Sequence, residues 1–399
     1  MQAQSGPVAS FNPGTITLAA GGATTVCAAA TDTVGDGCPA TQAKFSNPFG
    51  IAVDAYGNIF VADTGNNRIR LICYNIATNS TNFCSGLTVG NIYTVAGNGN
   101  AGSSGDGGLA INANIHSPNA VVLDPGGNLY IADTSNYKIR KVTPAGIIGT
   151  FAGTGSATTT PVTSSGAGDG GQALSATFSN PDGLAVDSAG NIYVIGTAGS
   201  DDFPVTSSAF ASVRYGPTDA FITELNPNSA GLLYSTYIGG EADDFGQAIA
   251  VAGPGKVYFA INSQSGFFPT TGGAYKAELT GAVDGVLGLM DLTKSGLNSL
   301  VYATYWGGSD LDEVRGIAVD VHGNLLATGY TMSVDFPVTG DAMQSVYNGN
   351  GDVFVSVVNP AVPGFVVYST YLGGTDAEVG YAIAGDSAGN IYVTGYTLS

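Results

Sequence analysis

Carboxylates recur at matched places along this chain. Asp36, Asp106, Asp169, Asp244, Asp312 and Glu378 each stand near a glycine pair or a glycine-bearing turn. Asp63, Asp133, Asp202 and Asp335 follow apolar runs. Clustered oxygen ligands suit a hard cation such as calcium, and paired carboxylates at suitable separation hydrolyse glycosidic bonds. A plainer reading is that each acid caps its own turn. An acid that returns in every unit fits that reading better, because a turn device is needed everywhere and a ligand site in few places. No D-x-D-x-D-G calcium loop is present, and DLDE at 310–313 is the densest local cluster of acids.

Other chemistries have fewer means. A zinc centre wants several histidines, and the chain has two, His116 and His322, placed in different parts of the pattern. A serine nucleophile would need a G-x-S-x-G elbow and a histidine with an orienting acid, and neither is visible. Arg68, Arg70, Arg140, Arg214 and Arg315 are scattered rather than clustered. Arg68, Arg70, Lys138 and Arg140 read as outward residues whose stems cover apolar surface. No catalytic residue and no metal ligand is assigned, and no cofactor is expected, calcium being the one cation an acidic rim would take.

The elements that position these residues come from a repeat. GIAVDAYGNIFVADT, 50–64, returns as AVVLDPGGNLYIADT, GLAVDSAGNIYVIGT, AIAVAGPGKVYFAIN, GIAVDVHGNLLATGY and AIAGDSAGNIYVTGY. Ile51, Val121, Leu184, Ile249, Ile317 and Ile383 mark equivalent points, separated by 70, 63, 65, 68 and 66 residues. Such a period signals a repeat architecture. Each copy reads as strand, D-x-x-G-N type turn, strand. The first strand is apolar at successive positions, which predicts burial on both faces. Two further strands follow, such as RIRLI or DAFITEL and then NIYTVAG or LVYATYWGG. Four short strands per period, with glycine at the joints, predict the blades of a β-propeller.

The sixth copy stops after two strands, and the chain begins out of phase. PVASFN (7–12) and GTITLAAGG (14–22) resemble third and fourth strands. The expected fold is all-β: a six-bladed propeller of four-stranded blades. Its ring is closed by the N-terminal strands pairing with the C-terminal ones, which removes open sheet edges. The alternative is an array within a longer adhesin. One domain, 1–399, is expected: 1–44 closing strands and connector, 45–155 two blades, 156–381 three blades, 382–399 the first half of the sixth. The Ser/Thr/Gly-rich stretch 156–173 reads as a surface loop. The tyrosines of YSTY, YATYW and YSTY (234–237, 302–306, 368–371) read as inter-blade packing, with a sugar- or peptide-binding stripe as the other reading.

ADTGNNRIRLI and ADTSNYKIRKV resemble the NHL repeat of bacterial proteins. GTAGSDDFPVTSSAF, DAFITELNPNSAGLLYSTYIGGEADDFGQAIAV and GYTMSVDFPVTGDAMQ resemble the SBBP class of β-propeller repeat. Together they cover almost the whole chain. The resemblance implies the propeller architecture and permits a zinc lyase, for which the histidines are too few.

Composition bounds the partners. The net charge is −19 with only 11 basic residues, which makes nucleic acid and anionic membranes poor partners. No apolar run reaches the ~18 residues that would span a bilayer. MQAQSGPVAS lacks the apolar core of a leader. Cys27/Cys38 and Cys73/Cys84 are matched pairs, eleven apart, and predict two disulfides and an oxidising compartment. Asn79-Ser80-Thr81 fits a glycosylation sequon. The expectation is an extracellular or cell-surface, non-catalytic binding or scaffold module for a protein or carbohydrate ligand, a monomer or part of a larger chain. The alternative is a lyase or glycan hydrolase at an acidic channel mouth.

Overall fold

A computed structural model of the chain describes residues 20–21, 23–75, 83–155, 178, 180–228, 231–359, 366–386 and 389–398. Several expectations fall outside them: Asp169, the sequon at 79–81, the loop at 156–173, and the closing strands apart from Ala20 and Gly21.

The first blade holds β1 (Pro48–Val53), β2 (Ile59–Asp63), β3 (Arg68–Ile72) and β4 (Ile92–Ala96). The second holds β5 (Pro118–Leu123), β6 (Leu129–Asp133), β7 (Lys138–Val142) and β8 (Ile148–Ala152). The third holds β9 (Asn180–Val186), β10 (Ile192–Ala198), β11 (Asp219–Leu225) and β12 (Leu232–Ile238). The fourth holds β13 (Asp244–Gly253), β14 (Lys256–Ser263), β15 (Asp284–Asp291) and β16 (Leu300–Trp306). The fifth holds β17 (Asp312–Val319), β18 (Leu325–Thr331), β19 (Asp352–Val358) and β20 (Val366–Leu372). A two-stranded sheet, β21 (Glu378–Gly385) and β22 (Ile391–Thr397), follows. All the sheets are antiparallel meanders in chain order. The described residues thus form five four-stranded blades and a sixth sheet of two strands, where six full blades were expected.

The hairpin between the first two strands explains the D-x-x-G-N wording. Asp54 accepts from the Tyr56 and Asn58 amides, and Asn58 Nδ2 returns a bond to the other oxygen at 2.9 Å. Asp187 with Asn191 and Asp320 with Asn324 repeat the arrangement.

The core is a series of clusters between neighbouring blades. Tyr193 and Ile195 of the third blade meet Ile249, Val257 and Phe259 of the fourth. Leu326, Val353 and Val355 of the fifth meet Ile383 and Val393 of the sixth sheet. The fourth-strand tyrosines belong to this packing: Tyr237, Tyr305 and Tyr371 are buried, and each hydroxyl accepts the amide of the Phe in the D-F-P or F-F-P loop, at 3.0–3.1 Å.

Two expectations need correction. The first strands are not buried on both faces: Ile51 is 46% and Val53 60% exposed, because they face an open central channel. Arg70 and Arg140 do not point outward. Both are fully buried, because each is drawn inward by two carboxylates.

Candidate functional site

The first strands of all six sheets surround one cavity of about 550 Å³. The sixth sheet closes the circle of inner strands, with Tyr381 of β21 5.3 Å from Phe49 of β1, ring to ring. Every inner strand carries a β-bulge at the same height. Pro118 pairs with Asp133 and Ala120 with Ala132, leaving Asn119 as an extra residue. The same count leaves out Asp182 in β9, Gln247 in β13, Arg315 in β17 and Tyr381 in β21. In β1, Phe49 and Gly50 together oppose Ala62. An extra residue leaves the ladder and is re-aimed. Here the six extra residues, Phe49, Asn119, Asp182, Gln247, Arg315 and Tyr381, all line the cavity.

At two of the joints glycine admits a close approach. A methyl group on Gly50 would lie 2.6 Å from the Asn119 carbonyl oxygen, and one on Gly316 2.8 Å from that of Tyr381. Only a residue without Cβ lets the bulge of the next blade come this close.

The ring is chemically mixed. Asn119 Nδ2 donates to Asp182 Oδ1 at 2.9 Å. Enclosure by protein pushes the Asp182 carboxyl up to about 7, the Asn119 bond offsetting part of the effect. Its side chain nonetheless borders the channel and is half-buried. Arg315 pairs with Glu313, and its guanidinium lies 5.8 Å from the Tyr330 ring. A second cavity of about 320 Å³ opens beside the first and shares Phe49, Arg315 and Tyr381, adding Tyr330, Tyr396 and Glu378.

The acids singled out from sequence occupy a different layer. Asp36 accepts from Arg70 Nη2 at 2.7 Å and from the Thr94 amide. Asp106 accepts from Arg140 Nη2 at 2.5 Å and from Thr150 Oγ1 at 2.7 Å. Burial pushes the Asp106 carboxyl up, but these bonds outweigh it and hold it below the usual range. The second partners of the arginines are Asp63 and Asp133, each at 3.3 Å.

In the third to fifth blades the third strand carries no arginine. Carboxylates instead meet in pairs across blade joints: Asp219 with Asp244, Asp284 with Asp312, and Asp352 with Glu378. Asp244 accepts from the Gly240 amide and Ser265 Oγ, Asp312 from the Gly308 amide and Ser333 Oγ, and Glu378 from the Gly374 amide. Burial, reinforced by the paired carboxylate, pushes Asp244 and Asp312 up to about 6. Lys276 serves the middle pair, bonding Asp284 at 2.9 Å and the Gly307 and Gly308 carbonyls. Asp335 accepts from Ser309. Of these acids Glu378 borders the smaller cavity, and none of the others lines either. Among the described residues, no group of three or more His, Cys, Asp or Glu gathers where it could hold a metal ion.

His116 leads into β5, while His322 lies in the β17–β18 hairpin, its ring exposed beside Asp320. Both disulfides are formed, Cys27–Cys38 and Cys73–Cys84. No helix among the described residues is long and apolar enough to cross a membrane.

Radial four-stranded meanders around a channel define a β-propeller protein. The repeats within it are of two kinds: residues 45–70 match the NHL repeat, and residues 175–204 and 367–399 match the SBBP beta-propeller repeat. No curated protein matches the chain. Similar solved structures include XC5397 from Xanthomonas campestris, a gluconolactonase, at 13% identity over 87% of this chain and 82% of that one, TM-score 0.44. Virginiamycin B lyase from Staphylococcus aureus is 12% identical over 87% and 77%, TM-score 0.43. Likeness at this level says nothing of activity.

Proposed function

We propose that this protein is an extracellular, non-catalytic ligand-binding propeller whose site is the mouth of the central channel. The observation that carries the reading is the bulge ring. Positions that repeat in kind serve the fold, whereas these six are equivalent in place and different in chemistry. Concave sites with a few polar groups among apolar walls are where proteins hold small ligands.

The lyase or hydrolase reading is less well supported. Paired-carboxylate hydrolysis needs a second acid across the bond being broken. Among the described residues lining the larger cavity, Asp182 is the one carboxylate. The rim of acids proposed from sequence is taken here as structural, with Asp36, Asp106, Asp244, Asp312 and Glu378 stapling turns and blade joints.

Six blades and an oxidising location belong to the same proposal. The Gly21 amide bonds the Ala40 carbonyl at 2.9 Å, as Gly97 just after β4 bonds Ala110 at 2.9 Å. Gly21 therefore stands where the glycine after a fourth strand stands. β22 leaves Tyr392 and Tyr396 half-exposed, and the segment 7–22 is proposed to cover them. Two disulfides support a secreted or cell-surface protein.

The test is a fragment library screened by ligand-observed NMR against the wild type and an Asn119→Ala/Tyr381→Ala variant of unchanged melting temperature. Hits that bind the wild type and vanish with the variant are expected. Hits retained equally by both would refute the channel as the site.

A further inference from the structure

The channel mouth has two unlike halves. Asn119, Asp182 and Gln247, on three consecutive blades, present amides and a carboxyl. Arg315, Tyr381 and Phe49, on the other three sheets, present aromatic faces and one guanidinium. This division, with the charge, narrows what fits.

An anionic ligand meets a protein of net charge −19. Arg315 offers little to offset that, since Glu313 already neutralises it. An organic cation would be attracted to aromatic faces. A quaternary ammonium head makes no hydrogen bonds, however, and would leave the Asn119 and Gln247 amides of the other half without partners. A purely apolar ligand would leave the amides and carboxyl of the other half without partners, which costs binding energy.

A neutral polyhydroxylated ring meets none of these objections. Its hydroxyls both donate and accept, and its C–H face lies flat on an aromatic ring. The Asn119 amide and Asp182 carboxyl, 2.9 Å apart, match the separation of neighbouring hydroxyls on a sugar. A cavity of about 550 Å³ falls within the range of sites that enclose small ligands, about 300–1,000 Å³.

We propose that the channel mouth binds a neutral saccharide. One sugar face rests on the Phe49–Tyr381 pair, and hydroxyls bond Asn119, Asp182 and Gln247. The inference rests on the channel being the binding site. Asp182, raised to about 7 by enclosure, keeps its proton in part at neutral pH and so can donate to a hydroxyl as well as accept.

Isothermal titration calorimetry with cellobiose, maltose, glucuronate and choline tests it, on the wild type, Asn119→Ala, Tyr381→Ala and the surface control His322→Ala. The expected result is binding of a neutral disaccharide. Each channel variant weakens it about tenfold, and the control leaves it unchanged. Tyr381→Phe, which keeps the ring, serves if Tyr381→Ala fails to fold, and it retains most of the affinity. Preference for choline or glucuronate overturns the saccharide and leaves the channel standing. So does absence of disaccharide binding at millimolar concentration while NMR fragments are still lost on channel mutation. Disaccharide binding that survives both channel variants overturns the channel reading itself.

Discussion

The Asp284/Asp312 pair predicts that this propeller is held together better in mild acid than at neutral pH. Asp312 is fully buried, and its Oδ1 makes no hydrogen bond of ordinary geometry. A carboxyl that ionises at about 6 instead of 3.8 carries about 3 kcal/mol of penalty in its charged form. The unfolded chain ionises near 3.8, so the folded state holds the extra proton between about 4 and about 6. Stability therefore falls as pH rises through that window and levels off above it. Asp244 adds a similar amount with the same sign. Asp312→Asn keeps one oxygen for the Gly308 amide and Ser333 Oγ and places an NH₂ where the unbonded Oδ1 stands. It is expected to stabilise the protein at pH 8 by about 1–3 kcal/mol and to change it little at pH 4. Urea unfolding followed by Trp306 fluorescence, at pH 4 to 8, reads both quantities. Equal destabilisation of the variant at both ends of the range would refute the reasoning, because the charge would then be no burden.

Two further perturbations probe the frame. Arg140→Met strands Asp106 and the fully buried Asp133, and is expected to cost about 3–5 kcal/mol in urea unfolding. A loss below about 1 kcal/mol would mean the buried triad is close to neutral. If the N-terminal segment closes the sixth blade as proposed, removing residues 1–19 lowers the melting temperature and promotes aggregation; an unchanged melt in a monomeric product would refute that closure.

The fold was legible because its turns are spelled out. D-x-x-G-N names a hairpin in five of the six copies, and the return of the whole motif every 63 to 70 residues names the blade. The disulfides were legible from their equal spacing. Arg70 and Arg140 were not. In an RIRLI strand a long cationic side chain is the natural candidate for the outer face, and only the folded chain shows that Asp36 from a loop and Asp63 from the end of β2 converge on Arg70. The channel ring was hidden for a different reason. The regular wording starts at Gly50, one residue too late to include Phe49, and the equivalent residues Asn119, Asp182, Gln247, Arg315 and Tyr381 differ from copy to copy. Their signal was a variable position directly before an unvarying small one, Gly50, Ala120, Gly183, Ala248, Gly316 or Ala382. A bulge adds one residue without a pattern of its own.

The bulge has a consequence for how such a protein changes over time. A residue outside the ladder has no register partner of its own, so its replacement breaks no directly opposed side-chain pair. Each of the six positions can vary singly while the sheets stay in step. Descendants of one ring can then come to hold different molecules by exchanging these six side chains alone, with no adjustment to the walls that carry them.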